Sequence, residues 1–365
     1  VLKVLHGVTE GINAELEVGL FLTERVSFVQ AAPIAGALEY TSPRRQPATI
    51  AILQGYVPNE GDAFQFTVDQ VQQFFQHALA RSAEVGEVPA PRESPVVLID
   101  REPPPLVGEM MGSYLEFARL LGRRTAELHL ALSQDKEDPA FAPEDFTALW
   151  QRSLYQSLRN QALRVLALVR DRMPSLPEEV VELARAVTAR EHDIVQRFGS
   201  ALLGRRIHAT RIRCHGNFEL RQVLWTGRDF VVVDLAASEI QTPAERRIKT
   251  SAMRDVASML WSFHHAARGG LLGDGAAALV RPEDVPVLEP WAHFFARWSG
   301  SNFLRGYLQQ AGDASFVPRE RSDLAALLTI FALEKSFDEI EHAIDRRPGW
   351  LRIPLRGILE VLGLE

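Results

Sequence analysis

The chain has 365 residues, 46% hydrophobic and 24% charged, which excludes general disorder and allows two or three domains, or one large domain with two lobes. Its richest apolar run, Leu324 to Leu333, is too short to span a membrane, and a net charge of −7 argues against broad binding to nucleic acid or anionic membranes. The single cysteine, Cys214, excludes an internal disulfide and a Cys-based structural zinc site, so we expect a reducing, cytoplasmic location.

The first segment reads as β-rich around one helix. Residues 1–5 are typical of a strand already under way, and since an unpartnered strand is an open edge, we expect the chain to belong to a longer polypeptide. Residues 13–22 have helical spacing, with Asn13 as the N-cap. The β-compatible runs 36–40 and 48–53 flank a turn-rich stretch and predict a hairpin.

The period changes after residue 62, and the remainder is predicted to be mostly helical. Residues 85–108 are rich in Pro and Glu and predict a long surface loop, with 96–99 as a short strand or apolar anchor. Residues 269–275 predict a flexible glycine loop. The predicted helices cover 67–83, 112–132, 149–169, 177–198, 254–267, 288–311 and 323–345. The sequence therefore predicts an α+β architecture, a small β-rich piece followed by a large helical one.

One hairpin interrupts the helical part, within residues 212–234. Gln222–Trp225 and Phe230–Val233 are β-prone, and Thr226-Gly227 supplies the turn between them. A short hairpin brings its two ends together, so Gln222 and Asp234 face the same space. A carboxylate beside an amide oxygen suits a hard cation such as Mg²⁺ if substrate phosphates complete its shell. A plain hairpin with a solvated aspartate is the alternative.

The residues from His215 to Gln222 read His-Gly-Asn-Phe-Glu-Leu-Arg-Gln. They resemble the His-Gly-Asp-Tyr-His-Leu-Gly-Gln catalytic loop of the maltokinases, in the aminoglycoside-phosphotransferase and protein-kinase-like superfamily. The resemblance covers nearly the whole chain in order and is closest to the maltokinase part of trehalose synthase–maltokinase fusions. Other matching segments are 1–3, 13–17, 37–40, 51–59, 114–115, 124–129, 245–249, 254–260 and 346–355.

This resemblance implies a two-lobed kinase-like fold. Residues 1–57 would form a partial, truncated N-lobe with the hinge, and residues 58–365 a helical C-lobe containing the catalytic-loop hairpin. The implied reaction converts ATP and maltose into maltose 1-phosphate, with ATP and Mg²⁺ as cofactors. The implied partners are maltose or a related small sugar and an attached trehalose synthase domain.

The resemblance also implies residue roles. Lys3 would hold the nucleotide phosphates and Glu17 would pair with it, because a lysine clamps phosphate only when an opposite charge holds it in place. Gln222 and Asp234 would bind magnesium, and His215 and Asn217 would stand in the catalytic loop. The remaining implied residues form the hinge that meets adenine: Gln54, Gly55, Tyr56 and Val57.

Several residues depart from the family pattern. Asn217 replaces the aspartate that takes the proton from the sugar hydroxyl, a role typically worth roughly 10²–10⁴-fold in rate. Glu219 is the first candidate for a substitute base. Ala236 replaces a second acidic residue in the segment 234–239, and Arg221 replaces a small glycine. In the last long helix, Asp338 and His342 stand where the family has tyrosines.

We therefore expect kinase activity to be impaired. Two alternatives remain open: a pseudokinase that binds nucleotide or sugar and regulates an attached trehalose synthase, and a purely structural docking part. Three other features favour structural roles: His129 as a packed histidine, the Arg254-Asp255 pair as a staple of the fold, and the adjacent His264 and His265, which point about 100° apart on a helix and rarely share a metal.

Overall fold

The structure, a computed structural model, describes residues 1–5, 8, 10–43, 45–86, 88–236, 245–272 and 280–363. Within these ranges the chain has the predicted α+β order, a small sheet followed by a larger helical part. Residues 237–239 of the segment that departs from the family pattern, and residues 273–275 of the predicted glycine loop, lie outside the described ranges. No helix of the described residues is long and apolar enough to cross a membrane.

The first sheet is antiparallel, in the order β1-β3-β2, from β1 (Leu2–Val4), β2 (Ile34–Ser42) and β3 (Arg45–Gln54). The predicted hairpin is confirmed as β2 and β3. Helix α1 (Ala14–Leu20) starts at the predicted cap, where Asn13 Oδ1 accepts from Leu16 N at 3.0 Å. A wide helical turn, 21–25, continues it.

Eleven further α-helices are described, and the helices Tyr114–Leu132 and Val285–Ala311 form their most extensively packed pair. Their bounds are α2 (Ala63–Val85), α3 (Pro95–Leu98), α4 (Pro105–Met111), α5 (Tyr114–Leu132), α6 (Ala148–Arg172), α7 (Glu178–Thr188), α8 (Glu191–Leu202), α9 (Met253–Leu272), α10 (Val285–Ala311), α11 (Arg321–Ala343) and α12 (Arg352–Leu362).

Three local predictions were wrong. The stretch 85–108 contains α3 and the start of α4, so it is not a long surface loop. Within it, residues 96–98 are helical rather than a strand, and the fully buried Leu98 confirms the alternative of an apolar anchor. The helix 177–198 is split after Thr188, and acidic residues at the start of α8 mark the new beginning. The loop 269–275 is helical up to Leu272, because burial of Leu271 outweighs the poor helix propensity of two glycines.

The predicted second hairpin is confirmed as β6 (Val223–Trp225) and β7 (Phe230–Val232), while the two-residue strands β4 (Glu144–Asp145) and β5 (Thr210–Arg211) pair elsewhere. Backbone bridges join β7 to Ala31 and β6 to Asp62. The hairpin therefore lies between the first sheet and the helices. Residue 57, the predicted lobe boundary, lies between β3 and α2, and its status as a domain boundary stays a prediction.

Candidate functional site

A buried network holds the loop that carries Asn217. Asp255, in the first turn of α9, accepts from the backbone N of His215 at 2.7 Å and of Gly216 at 2.9 Å. His129 Nε2 lies 3.1 Å from Asp255 Oδ2, and its Nδ1 lies 2.9 Å from the Tyr307 hydroxyl. Burial alone would raise the pKa of Asp255, but these hydrogen bonds and nearby histidines hold it below its ordinary value. The structural roles predicted for His129 and Asp255 are confirmed.

The ends of the second hairpin converge on one cleft. Gln222 O accepts from Val233 N at 3.0 Å, so Asp234 follows directly beside Gln222. Both line the cleft with Asn217. Gln222 Oε1 is buried and has no hydrogen-bond partner among the described residues. Asp234 has φ of +55°, a left-handed conformation that is sparsely populated outside glycine and is typical of functional sites.

Lys3 reaches this cleft from the opposite side. Its Nζ lies 2.7 Å from Glu15 Oε1 and 2.6 Å from Asp234 Oδ1. Burial alone would lower the pKa of Lys3, but the charges of Glu15 and Asp234 outweigh it and raise that pKa. The ammonium therefore stays charged beside the open end of the hairpin. This contact brings the first strand of the chain next to residue 234.

The predicted pairing of Lys3 with Glu17 was wrong. Glu17 binds two arginines instead, Arg213 Nη1 at 2.9 Å and Arg247 Nη2 at 2.7 Å. Residues two apart on a helix point about 200° apart, so only one of Glu15 and Glu17 can face β1. Glu15 takes that position, and Glu17 turns toward the fully buried Arg213.

His215 does not contact the cleft. Its side chain is fully buried, and Nε2 lies 2.9 Å from Val233 O, which fastens the loop to the hairpin. Burial lowers the pKa of His215, so the ring is neutral near pH 7. The prediction of a catalytic His215 is therefore corrected to a positioning residue, because a buried ring cannot reach substrate.

The predicted hinge residues begin with Gln54, the last residue of β3, and none of them is among the described residues that line the cleft. Gln54 N donates to Val1 O at 2.9 Å, and Gly55 N donates to Pro33 O at 2.8 Å. Tyr56 is exposed, and Val57 O accepts from Asn59 Nδ2 at 2.8 Å. Their contact with adenine stays a prediction.

Helix α11 supplies the far wall of the cleft, and its charged side chains are paired. Lys335 Nζ is in close contact with Glu219 Oε1. Arg254 Nη2 lies 2.7 Å from Glu334 Oε1, and Gln161 Nε2 donates to Asp338 Oδ1 at 2.6 Å. Burial raises the pKa of both Glu334 and Asp338. This wall is polar and charged, and it includes Asp338 and His342, the two residues that stand where the family has tyrosines.

Sequence reasoning missed Glu15 and Lys335 as cleft residues. Lys335 had one signal in the sequence, because it and Glu334 directly follow the apolar run 324–333, and charged residues are seldom buried unless they are paired. Arg221 was singled out as a bulky cation, and its guanidinium lies 3.7 Å from the centre of the Phe64 ring. It lines the cleft beside Gln222.

No protein-family model matches the chain. Its structure is similar to that of a glucosamine kinase in complex with glucosamine, ADP and inorganic phosphate, with a TM-score of 0.66 and 20% identity over 97% of this chain and 70% of that chain. A second crystal form of glucosamine kinase gives a TM-score of 0.68 at 20% identity over 99% of this chain and 73% of that chain.

These similarities confirm the predicted fold class: the chain has a two-lobed, kinase-like α+β fold, of which glucosamine kinase is one example. At 20% identity they establish the fold alone. The maltokinase identity and the attachment to a trehalose synthase stay predictions from the sequence.

Proposed function

We propose that this chain is a sugar kinase-type domain of the maltokinase kind, which binds Mg-ATP and forms maltose 1-phosphate at a rate lowered by Asn217. The observation that carries the proposal is the meeting of Lys3, Gln222, Asp234 and Asn217 at one cleft of a kinase-like fold. The sugar and ADP named for the glucosamine kinase structure support it. We place this activity in the cytoplasm.

The cleft residues fit a hard cation. Gln222 Oε1 is a buried oxygen without a partner among the described residues, beside the Asp234 carboxylate, and such oxygens suit Mg²⁺. Bound there, Mg²⁺ would neutralise charge on the nucleotide phosphates. Lys3 is held by Glu15, so its ammonium is positioned to bind phosphate when Asp234 turns to the metal.

The proposed phosphate transfer lacks the family's general base at position 217. An asparagine amide can orient a sugar hydroxyl but cannot usefully accept its proton. Glu219, the predicted substitute, is already paired with the Lys335 ammonium. Transfer then relies on positioning and electrostatic stabilisation, which supply most of phosphoryl-transfer catalysis.

The second candidate is a pseudokinase module attached to a trehalose synthase. Ala236 brings no carboxylate to the metal side, and Glu15, Glu219, Glu334 and Asp338 each have a partner. These pairings favour a cleft that binds without transferring. A pseudokinase of this kind would still bind nucleotide but would not transfer phosphate.

The test is maltose 1-phosphate formation from Mg-ATP and maltose by the full-length protein, for wild type and Asn217→Asp, with glucosamine as a second acceptor. Restoring the base should raise the rate by roughly 10²–10⁴-fold. Gln72→Glu, on the exposed side of α2 and not among the residues that line the cleft, is the charge-matched control and should leave the rate unchanged.

Equal rates in wild type and Asn217→Asp would overturn the assigned role of Asn217. A fall in Glu219→Gln would then identify Glu219 as the base. No phosphorylated product from any variant would overturn the kinase proposal and leave the pseudokinase, for which Mg-ATP binding is measured directly.

A further inference from the structure

A second cavity lies away from the cleft, between α9, α10, α11 and α12, and it shares no lining residue with the cleft. Its volume is 330 Å³. At about 30 Å³ per water, that is room for a ligand of about ten non-hydrogen atoms. Most of its wall is hydrocarbon, including Leu260, Ala296, Leu328 and Val361. An apolar wall of this size favours an apolar ligand body over a sugar.

The charged residues of the wall are unbalanced. Three arginines, Arg92, Arg197 and Arg297, stand against one carboxylate, Glu360. Arg92 and Arg197 are exposed, and neither has an ion-pair partner within 4 Å among the residues that the structure describes. The cavity therefore carries positive charge, although the whole protein carries a net charge of −7.

Arg297 is the innermost of these cations. Its Nη2 lies 3.7 Å from Glu360 Oε2, beyond hydrogen-bonding distance, while the other oxygen of Glu360 is in close contact with Arg268. Burial lowers the pKa of Arg297 despite the attraction of Glu360. Its Nε donates to His293 Nε2 at 3.2 Å. Among the described residues, however, its guanidinium lacks the close carboxylate that such a group usually binds in a bidentate pair.

We propose that this cavity binds a small carboxylate with an apolar body, such as a medium-chain aliphatic acid. The carboxylate pairs with Arg297, Arg92 and Arg197 draw the anion to the opening, and the hydrocarbon packs against Leu260, Leu328 and Val361. This site is independent of the proposed kinase function, because no residue of the cleft takes part.

Isothermal titration of the full-length protein with sodium octanoate tests the proposal. We expect saturable binding of one octanoate, unaffected by saturating Mg-ATP. Octanamide, which has nearly the same shape without the charge, should bind at least tenfold more weakly. Arg297→Gln should weaken octanoate binding at least tenfold, while the matched control Arg123→Gln, on the exposed side of α5, should leave it unchanged.

A second variant keeps the test decisive if Arg297→Gln does not fold. Ala296→Leu adds carbon to the cavity wall without changing charge, and we expect it to abolish octanoate binding while the circular dichroism spectrum is retained. Absence of saturable binding, equal affinity for octanamide, or displacement of octanoate by Mg-ATP would each overturn the proposal. The last result would place octanoate in the cleft.

Discussion

Two glutamates of α1, Glu15 and Glu17, form ion pairs with different cations, and their roles in the protein therefore differ. Glu15 holds Lys3 at the cleft, whereas Glu17 neutralises Arg213, whose side chain is 1% exposed. A buried arginine that loses its carboxylate keeps the desolvation cost without the compensating attraction. Glu17 is therefore a residue of the fold, and Glu15 is a residue of the proposed nucleotide site.

We expect Glu17→Gln to lower the free energy of unfolding by about 3–5 kcal/mol, because it leaves Arg213 buried without an opposite charge. Glu15→Gln should cost less stability and should weaken Mg-ATP binding, because Lys3 loses an anchor. Urea unfolding measures the first effect and titration with Mg-ATP the second. Glu24→Gln, on the exposed end of the same helical segment, is the control. Equal losses of stability from Glu15→Gln and Glu17→Gln would contradict this division.

At the scale of elements, α5 and α10 approach each other through two glycines. A Cβ on Gly122 would lie 2.0 Å from Phe303 O, and one on Gly306 would lie 2.1 Å from Arg119 O. These obstacles are backbone atoms that no rotamer change can move. The close crossing places His129 of α5 near Tyr307 of α10, in the network that holds the loop carrying Asn217.

We expect Gly122→Ala to lower the free energy of unfolding by about 3 kcal/mol, because the two helices must separate to admit one methyl group. The control is Gly199→Ala in α8, where a Cβ would meet only Tyr155 at 3.8 Å. That change should stabilise by about 0.4–1 kcal/mol through the unfolded chain. Urea unfolding of both variants measures the contrast, and a neutral Gly122→Ala would refute the close crossing.

At the scale of the whole molecule, contacts between distant segments assemble the cleft. Lys3 and Asp234 are 231 residues apart, and Glu219 and Lys335 are 116 apart. Bridges from Ala31 and Asp62 seat the second hairpin between the first sheet and the helices. A ligand that binds both sides of the cleft should therefore stabilise the molecule as a unit.

Mg-ATP at about 100 times its dissociation constant should stabilise the folded protein by about 2.7 kcal/mol, seen as a higher melting temperature. Asp234→Asn should lose most of this shift, measured against the variant's own ligand-free melting temperature, because the proposed metal site loses the carboxylate that Asp234 supplies. Asp313→Asn, on an exposed turn, is the control and should keep the full shift. An unchanged melting temperature in wild type would favour a purely structural role.

The sequence by itself determined the features that depend on neighbours along the chain. The Asn13 cap, the hairpin of β2 and β3 and most helices follow local periodicity and turn chemistry. The adjacency of Gln222 and Asp234 was also predictable, because a tight turn between two short strands brings their ends together.

Only the tertiary structure decided which side chains meet across the cleft. It turned Glu15 rather than Glu17 toward Lys3, buried His215, and brought Lys335 onto Glu219 across 116 residues. It also divided the predicted helix 177–198 into α7 and α8, so that both helices bury their apolar faces. Such contacts depend on how helices pack and rotate about their axes, which local spacing does not specify.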